Sequence, residues 1–212
     1  MKSKWIIGID EAGRGPLAGP VAVGVYAVKG KRIKVKGKKT YTETNIFLKQ
    51  QFPNLKDSKK CSLELRNVLY KELTTNNLQL STKFAVSFSS AEYIDKYGIV
   101  PAIKNAMNKA LKKINLNPQH SKVFLDGTLT APKEYKNQKT IIKGDDLMPI
   151  ISAASILAKV SRDRKMKRLG VKFPSYQFEI HKGYGTLNHR KNIKKHGICI
   201  LHRKTFLKNL VK

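Results

Sequence analysis

The passage that most restricts what this chain can fold into is residues 8–24, GIDEAGRGPLAGPVAVG. An apolar run, Trp5-Ile6-Ile7-Gly8-Ile9, leads directly into two adjacent acids, Asp10 and Glu11. A glycine-flanked arginine, Gly13-Arg14-Gly15, follows, and a second apolar run opens at Val21. A carboxylate at the end of a buried strand loses hydration, which is costly unless a positive charge meets it. A divalent cation lying under a nucleic-acid backbone would supply that charge. Two solvated acids in a turn are the ordinary alternative, and the local sequence alone does not choose between them.

The rest of the chain repeats the pattern. Leu125-Asp126-Gly127 follows Val123-Phe124, and Lys143-Gly144-Asp145-Asp146 follows Thr140-Ile141-Ile142. The chain has only 14 acids, so five of them at strand ends is a biased placement. If the strands lie side by side, three or four carboxylates converge. Oxygen-only ligands suit magnesium or manganese, and two such ions can activate water and stabilise the leaving oxygen of a phosphodiester. Each acid also has a plain structural reading: Asp145 or Asp146 as cap of a helix beginning near Pro149, Asp126 as a turn residue. Neighbouring strand residues point to opposite faces, so Asp10 and Glu11 can act together only if the strand bends or ends there.

Periodicity gives an α/β organisation. Residues 5–10 and 21–28 read as buried strands. Lys83–Ser89 alternates, which predicts a half-buried strand with Phe84, Val86 and Phe88 on its buried face. Ser62 caps a helix reaching about Thr74. Pro101 opens an amphipathic helix carrying Ile103, Ala106, Met107, Ala110, Leu111 and Ile114. Pro149 opens another, with Ile151, Ala154 and Ala158 and a basic end at Arg162, Arg164 and Lys165. A tail helix from Thr186 stops at Gly197. Residues 29–56 are basic and irregular, with seven Lys or Arg by Lys39, and are expected to form an exposed hairpin or mobile loop. Residues from about 172 to 212 form a helical appendage on a single domain.

The 43 Lys+Arg against 14 Asp+Glu leave a net charge of +29. That balance points to nucleic acid ahead of an anionic membrane surface. Cys61 and Cys199 fit no zinc or disulfide framework. The N-terminal apolar run is too short for a signal peptide, and no run has the length of a membrane span; a cytoplasmic monomer is expected. None of the five histidines sits in a nucleophile motif. His181-Lys182-Gly183-Tyr184-Gly185-Thr186 reads as a turn into the tail helix.

Taken together, GIDEAGRGPLAGPV, DSKK (57–60), FLDG (124–127), KGDD (143–146), ISAASILAKVSRD (151–163), HKGYGT (181–186) and HGICILHRKTF (196–206) resemble type 2 ribonuclease H, the single-chain ribonuclease HII of bacteria and archaea. The resemblance spans nearly the whole chain. It implies a ribonuclease H-like fold, a central mixed sheet flanked by helices with a C-terminal helical extension. It implies four metal-binding catalytic acids, Asp10, Glu11, Asp126 and Asp145, holding two Mg2+ or Mn2+ ions. Asp145, not Asp146, takes the role because it follows Lys-Gly. The implied activity is hydrolysis of the RNA strand of RNA–DNA hybrids and nicking 5′ to single ribonucleotides in duplex DNA, leaving 3′-hydroxyl and 5′-phosphate ends. Gly13-Arg14-Gly15 would contact the ribonucleotide's 2′-hydroxyl and nearby phosphate, and Tyr184 would pack on the following deoxyribose. Arg14, Lys59 and Lys182 are candidate phosphate contacts, and a replication clamp is a candidate partner. The stretch 29–56 is longer than the usual connection before the DSK motif. Two rivals remain: a non-catalytic basic RNA-binding protein, and a different metal nuclease on the same fold.

Overall fold

Successive residues of a strand face opposite sides, and residues 5–12 use both. Ile7 and Ile9 enter one core, Ile6 the other, and Gly8 leaves space for a helix backbone. This strand, β1 (Trp5–Ala12), is central to a five-stranded mixed sheet in the computed structural model, which describes residues 5–30, 40–75 and 81–207, with side chains in 40–51 described from Thr44 onward. It pairs antiparallel with β2 (Val21–Lys29), which pairs antiparallel with the edge strand β3 (Thr82–Ser89). On its other side β1 runs parallel to β4 (Ser121–Asp126), and β4 parallel to β5 (Gln138–Ile141). The sheet order is β3-β2-β1-β4-β5. Three parallel strands therefore end at the same edge.

One face carries α4 (Ile99–Ile114). Its buried stripe is Ala102, Ile103, Ala106, Met107, Ala110, Leu111 and Ile114, as the 3–4 spacing requires. The short helix α3 (Ala91–Tyr97), capped by Ser90, precedes it. The other face carries α6 (Pro149–Lys172), whose first half is buried all round, as befits a helix enclosed by sheet and other helices. Small residues make this possible. A Cβ at Gly8 would lie 2.0 Å from the Ile150 carbonyl oxygen, and one at Gly24 2.3 Å from that of Ala154. The helix backbone thus rests directly on β1 and β2. Helix α2 (Leu63–Thr74), capped by Ser62, packs outside α6.

Three sequence expectations need correction. The second half of the 29–56 stretch is not a hairpin or loop: it contains helix α1 (Thr40–Gln51), and Leu48, Phe52 and Leu55 are buried in the α6-side core. Burying such a side chain contributes about 1.5–3 kcal/mol, enough to fix a helix that the preceding lysines disguise; residues 31–39 lie outside the described residues. In β3 the more buried residues are Ala85, Ser87 and Ser89, while Phe84 is exposed. Helix α4 covers the odd-numbered face, and small side chains let it approach: Ser89 Oγ donates to the Ala102 carbonyl at 2.8 Å. The even-numbered face of this edge strand is only partly covered. Finally, Arg162 is not part of a solvated basic end, because it is fully buried.

The C-terminal region is helical: α7 (Phe178–His181) and α8 (Leu187–His196), the latter capped by Thr186 and stopped at Gly197 with φ +75°. It grips the glycine-rich loop after β1. Leu17 and Ala18 N–H donate to the Gly183 carbonyl at 2.8 and 3.3 Å, Gly19 N–H to that of Leu201 at 2.8 Å, and Arg203 N–H to that of Leu17 at 2.8 Å.

Candidate active site

The carboxylates gather because the strand ladders stop at different points. Pairing of β1 with β4 ends at Ile9 and Leu125, whereas pairing with β2 runs on unbroken to Ala12. One residue beyond the last β1–β4 pair, Asp10 and Asp126 stand on neighbouring strand ends, on the α6 side. Glu11 follows on the opposite face, but the Asp10, Glu11 and Asp126 charges still act on one another, and the three border one small gap in the packing together with Ile9, Leu125 and Leu129. Asp145 arrives from the third strand end. Lys143, at φ +55°, turns the chain into the one-turn helix α5 (Gly144–Leu147). Gly144 N–H donates to Asp126 Oδ1 at 2.7 Å, tying the second and third strand ends together.

Burial and mutual repulsion dominate the electrostatics. Burial, reinforced by the Glu11 charge, raises Asp10 well above the usual carboxylate range, although hydrogen bonds from Ser155 and from Glu11 N–H (2.7 Å) oppose this. Burial also raises Glu11, against the pull of Arg14, whose Nη1 is 3.2 Å from Glu11 Oε1. Asp145 is raised by burial and then by the Asp126 charge. Burial acts to lower the Lys59 ammonium, but Asp57, Asp145, Asp10 and Asp126 outweigh it and hold it above its ordinary value. Its Nζ is 3.6 Å from Asp145 Oδ2. Among the described residues Lys59 and Arg14 thus pair with two of four mutually repelling acids.

An all-oxygen donor set of this kind fits Mg2+ or Mn2+, and a dication would offset the repulsion that raises the three carboxyls. Among the described residues no three His, Cys, Asp or Glu side chains are close enough to form a ready ligand shell. The acids are neighbours in charge rather than a closed cage.

The other sequence-selected residues fall into two groups. Gly13, Arg14 and Gly15 form the turn beyond Glu11, with Gly13 at φ +91°; Arg14 and Gly15 are exposed. Tyr184 presents a partly exposed ring, with Lys159 Nζ at 5.7 Å and Arg162 Cζ at 5.6 Å from its centroid. Lys182 instead turns back on α7, donating to the Glu179 carbonyl and, at 3.3 Å, to that of Ile180. Asp146 pairs with Lys60. Neither acid caps α6, which has no side-chain cap.

Sequence reasoning missed several participants. Asp57 is buried, accepts from Lys59 N–H at 2.9 Å and shares a side-chain hydrogen bond with Asp145. Ser152 Oγ donates to the Asp145 carbonyl at 2.7 Å, and the Ser155 and Ser58 hydroxyls share a hydrogen bond at 2.8 Å. The signal available was their place inside the DSKK and ISAAS motifs. Two buried arginines, Arg162 and Arg203, were also missed. Burial lowers both, and the Arg162 charge helps take Arg203 to about 9.

Comparison with known proteins identifies the family and the fold. Residues 7–209 match the family model described as Ribonuclease HII. Among curated relatives, Ribonuclease HII of Coxiella burnetii (strain RSA 493 / Nine Mile phase I) is 40% identical over 201 residues, covering 95% of this chain and 87% of that one. Ribonuclease HII of Prochlorococcus marinus (strain MIT 9312) is 41% identical over 201 residues, covering 95% and 88%. The fold matches ribonuclease H2 from Pyrococcus horikoshii OT3 with a TM-score of 0.70 at 24% identity, covering 97% of this chain and 100% of that one. It also matches ribonuclease HII from Archaeoglobus fulgidus, solved in complex with PCNA, with a TM-score of 0.68 at 24% identity and coverage of 94% and 93%. A mixed five-stranded sheet flanked by helices, with strand-end acids and matches along nearly its whole length, places the chain in the ribonuclease HII family of ribonuclease H endonucleases.

Proposed function

We propose that this endonuclease hydrolyses the RNA strand of RNA–DNA hybrids and nicks duplex DNA 5′ to a single embedded ribonucleotide, leaving 3′-hydroxyl and 5′-phosphate ends. The observation that carries the reading is the meeting of Asp10, Glu11, Asp126 and Asp145 at the ends of three adjacent parallel strands, beside the turn at Gly13-Arg14-Gly15. In this reading Asp10, Glu11, Asp126 and Asp145 hold two Mg2+ or Mn2+ ions, which when bound supply water activation and stabilisation of the leaving oxygen. Asp57 and Ser152 fix the Asp145 segment, and Ser155 orients Asp10.

The amides of Gly13-Arg14-Gly15 take the 2′-hydroxyl, which distinguishes RNA from DNA. A site built to hydrogen-bond a hydroxyl rejects the deoxy analogue by on the order of 10⁴-fold. Arg14 is half-exposed and free to turn from Glu11 to a phosphate. Tyr184 offers its ring to the deoxyribose on the 3′ side. Lys59 neutralises the acids before substrate arrives and meets a phosphate afterwards. Lys182 is the weaker phosphate candidate because its ammonium already serves α7. The protein acts as a monomer, and a sliding clamp of the kind bound by the Archaeoglobus relative is a candidate partner.

The test is incubation of the folded protein with Mg2+ or Mn2+ and three labelled duplexes: an RNA–DNA hybrid, a DNA duplex holding one ribonucleotide, and the same duplex in all-DNA form. Cutting of the first two and sparing of the third is expected, with Asp126→Asn inactive on all. Equal cutting of the all-DNA duplex would instead favour a nuclease that does not sense ribose. Tight binding without scission would favour the non-catalytic reading.

A further inference from the structure

The Gly13-Arg14-Gly15 turn is held from behind by two arginines that are fully buried. Arg203, from the C-terminal region, uses its whole guanidinium on this loop. Its Nη2 donates to the Gly13 carbonyl at 2.7 Å, Nη1 to that of Arg14 at 2.9 Å, and Nε to that of Gly19 at 2.9 Å. Arg162, from α6, donates through Nε to the Pro20 carbonyl at 2.9 Å and through Nη2 to that of Ala18 at 3.3 Å. Its Nη1 is buried without a partner, and its guanidinium packs beneath the Tyr184 ring. The fit is tight: a Cβ on Gly13 would lie 2.0 Å from Arg162 Nε.

Neither guanidinium forms an ion pair with a carboxylate among the described residues. That is an expensive way to build a core, since a buried charge normally demands a partner charge. What the two charges obtain is a set of carbonyls, five in all, from one loop. A peptide whose carbonyl is drawn inward presents its N–H to the other side. Among the described residues, none accepts from the N–H groups of Gly13, Arg14 or Gly15.

We propose that Arg162 and Arg203 are the positioning residues of the ribose-sensing loop: by holding the Gly13 and Arg14 carbonyls inward Arg203 fixes the Arg14 and Gly15 amides toward the substrate's 2′-hydroxyl, while Arg162 anchors the returning arm of the loop at Ala18 and Pro20 and sets the Tyr184 ring against the same point. This rests on the reading of Gly13-Arg14-Gly15 as the ribose contact. It also gives the C-terminal region a function, since Arg203 and the neighbouring bridge between Ala18 and His202 fasten the loop from that end.

The test is discrimination rather than turnover. In an Asp126→Asn background, binding is measured by fluorescence anisotropy for two duplexes differing by one 2′-hydroxyl. The parent should prefer the ribonucleotide duplex. Arg203→Met, shown to be folded by circular dichroism, should lose about tenfold of that preference, the value of roughly one hydrogen bond. Its affinity for the all-DNA duplex should be unchanged, and Arg203→Lys should recover part of the preference. A folded Arg203→Met with the parent's preference overturns the proposal alone. A parent with no preference removes the ribose reading and the proposal with it. Should both variants fail to fold, the parent labelled at its arginine side chains decides. The Nε–H signals of Arg162 and Arg203 should shift on adding the ribonucleotide duplex but not the all-DNA duplex, and signals that respond equally to both overturn it.

Discussion

In the proposed reaction single carboxylates decide the chemistry, but their neighbours decide whether they are in place. Asp57 shows this most clearly. It caps the turn at residues 58–60 and hydrogen-bonds Asp145, so it stands behind the acids proposed to meet the metal. Loss of a partner that orients a metal ligand costs on the order of 10- to 100-fold. Asp57→Ala should therefore lower the rate of ribonucleotide-dependent nicking by about that factor while leaving duplex affinity unchanged, and a steady-state assay with a parallel binding curve checks it. An unaltered rate would make Asp57 a turn residue only. At this scale the sequence was informative about identity and silent about support. Acids after apolar runs are visible as letters. A buried arginine is not, because Arg162 reads like its less buried neighbours Arg164 and Lys165 until the loop it serves is brought back across 142 residues of chain.

The elements were legible where one periodic face meets one core. Helices α4 and α8 follow their spacing and caps. Helix α1 did not stand out, because a short apolar stripe is set among polar residues and preceded by lysines. The face of β3 was misassigned because periodicity shows that two faces differ, not which one a small-residue contact will cover. The contact of α6 with β1 allows a stability prediction. Gly8→Ala drives a methyl into the Ile150 carbonyl, and overpacking of this kind costs about 1–3 kcal/mol; urea unfolding should show a lower midpoint with an unchanged slope.

A second prediction concerns the C-terminal elements. His189 Nδ1 donates to the Tyr184 carbonyl at 2.9 Å, and His202 Nδ1 accepts from Cys199 N–H at 2.9 Å. The 3.2 Å contact between their Nε2 atoms is therefore a bond from neutral His202 to neutral His189. Burial lowers each to about 4, with Tyr176, His181 and Cys199 around them. The unfolded chain binds these protons near pH 6.5 and the folded chain does not, so stability is complete above about 6.5 and falls as pH drops toward 4. The raised carboxyls act in the opposite sense, so the comparison is with His202→Gln. Between pH 6.5 and 4.5 the wild type should lose unfolding free energy relative to that variant, by about 1.4 kcal/mol per pH unit. Parallel urea curves would contradict the neutral pair.

For the molecule as a whole, the balance of charge sets the expectation for substrate binding. A net charge of +29 predicts strong backbone binding that weakens steeply with salt. If the basic run at residues 31–39 grips phosphates, replacing Lys34, Lys36 and Lys38 with Gln should flatten the plot of log affinity against log salt by about 0.9 for each phosphate no longer neutralised. An unchanged slope would make the run a solvated spacer. No helix among the described residues is long and apolar enough to cross a membrane. The topology was only partly legible. Three strands ending in acid suggested a shared edge, but the order that makes it so, β1 beside β4 beside β5, depends on long-range pairing that no local pattern encodes.

The central claim is that acids from three strand ends form one divalent-cation site. Titration of Mn2+ followed by electron paramagnetic resonance, without substrate, tests it most directly. The wild type should bind Mn2+ at neutral pH and release it to excess Mg2+, and folded Asp126→Asn and Asp145→Asn should each bind far more weakly. Wild-type affinity in both variants would contradict a site shared between the strands.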